Sequence, residues 1–240
     1  MSQFTGKTTP ITIHLLIINV LVFLASFVFR NKGFDLNETF ALHYYAADNF
    51  HWWQAFTYMF LHADFTHLFN NMFSLFMFGR LLEDVWGAKR FIIYYFFAGL
   101  GAAIFQQLAW SVSMNDFFVQ CLTVANPTVI EEVQHMNFQE LMEIPGGRDL
   151  VSHLITVGAS GGVFGILLAF GMMFPNAVIY LLIPPIPLKA KWMVILYGLF
   201  ELFCGVASMQ PGIAHYAHLG GMVFGFFLIL FWRHYHRREF

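Results

Sequence analysis

Four side chains in this sequence have the types and spacings for acyl-transfer chemistry. Ser160 lies in Gly158-Ala159-Ser160-Gly161-Gly162, and His218 in Ala214-His215-Tyr216-Ala217-His218-Leu219-Gly220-Gly221. His67 and Asn71 are four positions apart, on one face of any helix that carries them. A serine hydroxyl is a weak nucleophile until an adjacent base takes its proton, and neutral histidine is the usual base. The tetrahedral intermediate that follows needs donors aimed at its oxyanion; His67 and Asn71 are of the right type, and one such donor is typically worth about 10²–10³ in rate. Each residue also has a plain structural use. A serine among glycines at a helix start caps or packs, and an asparagine in an apolar helix bonds its neighbour.

Whether these groups meet depends on the segments that carry them. Of the 240 residues, 58% are hydrophobic and 11% charged, against roughly 25% charged in a soluble domain. A core of this size cannot hide so many apolar side chains, so lipid must cover some of them. A bilayer core of about 30 Å needs about 20 helical residues. Six stretches meet or approach that length, at roughly 11–29, 66–82, 89–110, 159–174, 191–209 and 213–232. The expected fold is therefore an all-α integral membrane bundle of six transmembrane helices. The second and fourth stretches are short and broken by polar or small residues, which suits helices enclosed by the others. The first apolar run lacks a small-residue cleavage site and reads as a retained span.

Charge bias sets the orientation. With the N-terminus in the cytoplasm, nine basic residues fall inside (Lys7, Arg80, Lys89, Arg90, Lys189, Lys191, Arg233, Arg237, Arg238) and three outside (Arg30, Lys32, Arg148), so both termini are expected to be cytoplasmic. Spans two, four and six then begin on the outer side. Their rise of about 1.5 Å per residue puts His67, Asn71, Ser160 and His218 within roughly 10 Å of one depth. Long outer loops are expected at 30–65 and 111–158, the second holding a surface helix over 128–142. The proline-rich Leu182–Pro187 reads as an interfacial connection. Small residues at Gly161/Gly165, Ala217/Gly221 and Gly221/Gly225 have the spacing that lets helix backbones approach closely in lipid.

Other classes are disfavoured. A net charge of −2 offers no basic field for nucleic acid. Cys121 and Cys204 make neither a disulfide framework nor a thiolate zinc site, and no cofactor or metal is expected. His43, His62 and His215 read as loop or supporting residues, and Glu201 in span five as a structural carboxyl, protonated or facing water.

Several motifs, in order, resemble the rhomboid intramembrane serine proteases over about residues 10–235. Gly158-Ala159-Ser160-Gly161 running to Gly165 is similar to the family's GxSGxxxG segment, Ala217-His218 with Gly221 to AHxxG, and His67 to Asn71 to HxxxN. Glu83, Gly87 and Lys89-Arg90-Phe91 are similar to its stretch between spans two and three. The resemblance implies one domain over 1–240 and a Ser-His dyad without a third acid. Ser160 would be the nucleophile and His218 the base. His67, Asn71 and the Ser160 backbone amide would form the oxyanion hole, with Gly158, Gly161, Phe164 and Gly221 in support. It further implies membrane-anchored protein substrates cut in or near their transmembrane segments, entry beside span five, and a location in the lipid bilayer, here the plasma membrane of a bacterium. A catalytically silent, client-binding relative is the alternative, although such proteins usually lack the serine or the histidine. Two positions depart from the pattern: Trp53-Gln54 stands where Trp-Arg is common, and Phe164 offers a ring to stack on the histidine without a tyrosine hydroxyl.

Overall fold

In the computed structural model, which describes residues 9–125, 130–180, 186–207 and 214–235, the chain is mostly helical. Helix α1 (Pro10–Arg30) starts with proline in its first turn, where a missing N–H costs nothing. The next two free amides, of Ile11 and Thr12, donate to the Glu83 carboxylate at 2.9 and 2.8 Å, and the Thr12 hydroxyl donates to it at 2.7 Å. A buried acid from elsewhere in the chain thus caps the helix and meets its positive end. Ile17, Leu21, Leu24 and Phe27 on α1 are exposed. Apolar surface of this kind along the helices is what an integral membrane protein presents to lipid.

The segment after α1 folds into α2 (Leu36–Phe40), strand β1 (Leu42–His43), α3 (Gln54–Thr57) and a 3₁₀ turn at Tyr58–Phe60. Gln54 is fully buried and holds this segment together. Its Oε1 accepts from the amides of His51 (3.0 Å) and His43 (3.4 Å), while its Nε2 donates to the carbonyls of Asn49 (2.9 Å) and Thr39 (3.2 Å). Glutamine has both donors and an acceptor, so one side chain satisfies both kinds of backbone group; an arginine has donors only.

Helix α4 (Phe65–Ser74) is capped by Asp64, which accepts from the His67 amide at 2.8 Å. It runs through a π-helical turn at Leu75–Gly79 into α5 (Arg80–Trp86), so the expected second span is one helix with a bulge inside it. Gly87, at φ +78°, ends it. Helix α6 (Ala88–Ala125) has 38 residues, about 57 Å, and runs some 15 residues beyond the 89–110 expected. Its far end joins Tyr44, Leu141, Met142 and Val151 through Met114 and Phe118 in a second small core.

Within the expected surface helix 128–142, α7 (Ile130–Val133) and α8 (Phe138–Glu143) are separate; residues 128 and 129 lie outside the described residues. The break falls where Asn137 starts α8 with a reciprocal cap involving Glu140. After α9 (Gly147–Ser152), strand β2 (Ile155–Thr156) pairs antiparallel with β1, Leu42 opposite Thr156. Then come α10 (Ser160–Met173), the antiparallel pair β3 (Val178–Tyr180) and β4 (Pro187–Lys189), α11 (Ala190–Val206) and α12 (His215–Tyr235). Most of the proline-rich connection, residues 181–185, lies outside the described residues, as do 208–213 between α11 and α12 and the terminal Lys7, Arg237 and Arg238.

By length and composition α1, α6 and α12 can each cross a membrane, while α10 is apolar but shorter. Helix α10 is the centre of the main core, with ten of its fourteen residues buried. It packs against α6 and α12, and α11 packs on α12 and α10 with Leu196, Leu199, Phe200 and Phe203 turned outward.

Replacing Gln54 with alanine removes the partner of four backbone groups, that of His43 buried and the other three part-buried, so Gln54→Ala should lower unfolding stability in detergent by roughly 1–2 kcal/mol. A loss below about 0.5 kcal/mol in a denaturation titration would contradict the role given to this side chain.

Candidate active site

The approach to α10 is bent by backbone that only glycine adopts without strain. Gly158 sits at φ +132° and donates its amide to the Tyr58 carbonyl at 2.9 Å. A Cβ at this position would come within 2.8 Å of the His67 ring, so the missing side chain is the space that His67 fills. Ala159 occupies the cap position and has no side chain to cap with. Ser160 is the first helical residue, and its hydroxyl is not used as a cap. Its Oγ lies 2.9 Å from His218 Nε2, the distance at which a hydroxyl donates to a neutral imidazole nitrogen. Both residues are 9% exposed.

His218 is held from two sides. Phe164, one turn after Ser160, lies flat on its ring at 4.2 Å between centroids and 8° between planes. Backbone contact between α10 and α12 fixes the distance: a Cβ on Gly221 would collide with the Gly161 carbonyl, and one on Gly161 with Ala102 of α6. The Tyr94 hydroxyl, buried against Gly225, donates to the Gly165 carbonyl at 2.8 Å.

The two remaining expected residues come from α4. Asn71 is buried, and its Nδ2 has no partner among the described residues. The ring of His67 stands beside Gly158 and 5.1 Å from the ring of His62. In the first turn of α10 the earliest backbone bond closes from the Val163 amide to the Ala159 carbonyl at 3.0 Å. The amides of Ser160, Gly161 and Gly162 therefore have no intrahelical acceptor and give that helix end a partial positive charge. The chain thus brings together a hydroxyl, an imidazole bonded to it, a second imidazole and a helix N-terminus, with the unpartnered amide one turn further along α4 from that second imidazole.

One member was not expected there. Glu201 of α11 is buried and turned away from water, with its Oε2 2.6 Å from His215 Nδ1 and 3.0 Å from His218 Nδ1. The first is a hydrogen bond; the second is an ion-pair distance, off the line of an aligned bond. The family resemblance implies a site with no acid nearby, and the sequence alone presents this carboxyl as protonated or facing water. The sequence signal was an acid inside an apolar stretch, which is costly in a membrane and tends to be functional. Glu201, His215 and His218 offer donor atoms within 4.8 Å of one another, a donor set that suits a divalent ion. At 2.6 Å the first pair is closer than two ligands around one tetrahedral zinc, about 3.3 Å apart, so Glu201 and His215 are spaced here for a hydrogen bond.

A profile of the Rhomboid domain matches residues 49–235. The chain is similar to "Rhomboid protease AarA" of Providencia stuartii, 24% identical over 233 residues that cover 93% of this chain and 73% of that protein. It is also similar to "Rhomboid protein 1, mitochondrial" of Saccharomyces cerevisiae, 27% identical over 166 residues, 69% of this chain and 38% of the yeast protein. "Rhomboid-like protein 11, chloroplastic" of Arabidopsis thaliana is 25% identical over 223 residues, 90% of this chain and 62% of the plant protein. The chain thus spans less than two thirds of the length of both eukaryotic relatives.

His62, beside the site and ahead of α4, is buried, and burial pushes its pKa down to about 3 from an ordinary 6.5. The unfolded chain therefore binds a proton that the folded one refuses between those values, so stability falls as pH drops from about 6.5 toward 3. Thermal unfolding in detergent should show this loss, and His62→Phe should flatten it. A His62→Phe protein with the same acid sensitivity as the parent would refute the assignment.

Proposed function

The chain belongs to the rhomboid family, and from that footing we propose that it is an intramembrane serine endopeptidase, with Ser160 as nucleophile and His218 as general base. Rhomboid proteins act on membrane proteins within the bilayer. The observation that carries the reading for this chain is the 2.9 Å contact between Ser160 Oγ and His218 Nε2, made by a serine that does not serve as a cap.

In the proposed reaction Ser160 Oγ attacks the carbonyl carbon of the scissile peptide, and its proton passes to His218 Nε2. The oxyanion is met by Asn71 Nδ2, the His67 ring and the Ser160 amide at the positive end of α10. Collapse breaks the C–N bond, and His218 gives the proton to the leaving amine. Water then attacks the acyl carbon and loses a proton to His218. That proton returns to Ser160 Oγ as the ester C–O bond breaks and the acid departs. Phe164, Gly158, Gly161 and Gly221 hold the groups in place.

The finer architecture belongs to the same proposal. Six spans (α1, α4 with α5, α6, α10, α11 and α12) cross the bilayer as one domain over 1–240, with both termini cytoplasmic and the site opening to the outer side. This follows the nine-to-three bias of basic residues. Substrates are membrane-anchored proteins cut in or near their transmembrane segments, entering past α11, and the location is the plasma membrane of a bacterium.

Purified protein should cleave members of a panel of transmembrane peptides, and a fluorophosphonate should label it at Ser160. Ser160→Ala should abolish both, a loss of at least about 10³-fold. Cleavage that continues unchanged in Ser160→Ala would overturn the assignment. A folded wild type that neither cleaves nor labels would favour the client-binding alternative. Labelling should also fall on acidification, because a protonated His218 cannot accept the Ser160 proton. A profile that stays flat to strongly acid pH, with the protein still folded by circular dichroism, would contradict the role of His218.

A further inference from the structure

Glu201 is a buried carboxyl that the reaction above does not use. Its neighbours on α11, Leu199, Phe200, Leu202 and Phe203, are exposed apolar side chains facing away from the bundle, whereas Glu201 turns inward and is 5% exposed. An acid in such a segment is costly unless paired. One hydrogen bond from His215, at 2.6 Å, is a pairing by itself, yet the same carboxylate oxygen also stands 3.0 Å from His218 Nδ1. The opposite nitrogen of that ring contacts Ser160 Oγ at 2.9 Å. Carboxylate, imidazole and hydroxyl therefore follow one another from α11 through α12 to α10, the first contact at ion-pair distance and the second a hydrogen bond.

We propose that Glu201 is a positioning residue that acts through His218, making the site a Ser-His-Glu relay anchored by His215. The inference rests on the serine-protease reading of Ser160 and His218. A carboxylate beside Nδ1 keeps the proton on that nitrogen, which leaves Nε2 free to accept from Ser160. When the proton arrives, the imidazolium carries a full positive charge 3.0 Å from Glu201. Coulomb attraction does not require the alignment a hydrogen bond needs, and contacts that are off line in the resting enzyme tighten in the reacting complex. His215 bonds the same oxygen from the first turn of α12 and so fixes the carboxylate relative to the helix that carries His218. The bland role for Glu201, a strut between α11 and α12, accounts for the His215 bond but not for the second imidazole.

The ionisable groups facing His218 are Glu201 on α11, His215 on α12, Ser160 on α10 and, across the site, His67 on α4. The test uses full-length protein in detergent with EDTA present and an alkyl fluorophosphonate as the probe. Labelling forms the bond from Ser160 Oγ to phosphorus, expels fluoride and delivers the hydroxyl proton to His218, so it needs no known substrate. Glu201→Gln, nearly isosteric, should lower the limiting labelling rate about 30- to 100-fold with the half-saturating probe concentration within about 2-fold of wild type. The acid limb of the pH–labelling profile should move to lower pH, because the imidazolium has lost its counter-charge. A strut would change melting temperature and leave the acid limb in place. A folded Glu201→Gln protein with wild-type labelling and an unmoved acid limb overturns the relay and leaves the protease reading standing; a wild type that does not label sinks the protease reading itself. A wild-type rate that collapses in EDTA also overturns the relay, since the trio would then work by holding an ion. Should Glu201→Gln not fold, Glu201→Asp decides. The same charge on an arm one methylene shorter predicts a loss of about 10-fold in the limiting rate, and an unchanged rate refutes the proposal.

Discussion

Helices α10 and α12 touch backbone to backbone, because Gly161 on one lies against Gly221 on the other and Gly165 against Gly225. Lipid tails are as apolar as leucine, so in a bilayer helices gain little from burying apolar side chains against each other; packing contact and interhelical bonds hold them. Glycine faces bring the two helices close enough for a short hydroxyl at the start of α10 to reach an imidazole one turn into α12. Phe164, on the same α10, then lies on the imidazole and sets its plane. A side chain at Gly161 or Gly221 would separate the helices and with them Ser160 from His218. Helix α6 completes the enclosure, with Ala98 and Ala102 filling the room left beside Gly165 and Gly161.

Irregular backbone around this pair is satisfied by single polar side chains placed at critical points. Glu83 accepts from the free amides at the start of α1, Asp64 caps α4 just ahead of His67, and Gln54 ties four loop groups together. Each is a local answer to the same problem: backbone amides and carbonyls that no helix or strand pairs must find partners. Asn71 is the contrast. It is buried one turn past His67 with no partner for its Nδ2 among the described residues, which suits a donor kept for a group that arrives during reaction.

Much of this was legible from residue type and spacing. The small-residue intervals pointed to close helix approach, and the polar residues at helix starts pointed to Ser160, His218, His67 and Asn71. Pattern alone could not say that α10 and α12 are neighbours, since helix adjacency is a long-range property. Glu201 stands out as an acid in an apolar stretch, but α11 is apolar almost all round, so its sequence does not reveal which face turns inward. The π-helical turn at Leu75–Gly79 left no mark because the residues before and after it keep the same apolar character. Helix α6 ran past its expected end because no capping residue or glycine stops it near residue 110. Gln54 stands out in the sequence as a departure from Trp-Arg; that it bonds four loop groups follows only from the path of the loop.

Ser160 and His218 are proposed to form a reactive pair facing the oxyanion donors His67 and Asn71. An experimental structure of the fluorophosphonate adduct tests it most directly. Phosphorus should be bonded to Ser160 Oγ, with the phosphonyl oxygen within hydrogen-bond distance of Asn71 Nδ2 and the Ser160 amide and His218 Nε2 still beside Oγ. An adduct on another side chain, or a phosphonyl oxygen turned away from those donors, would contradict it.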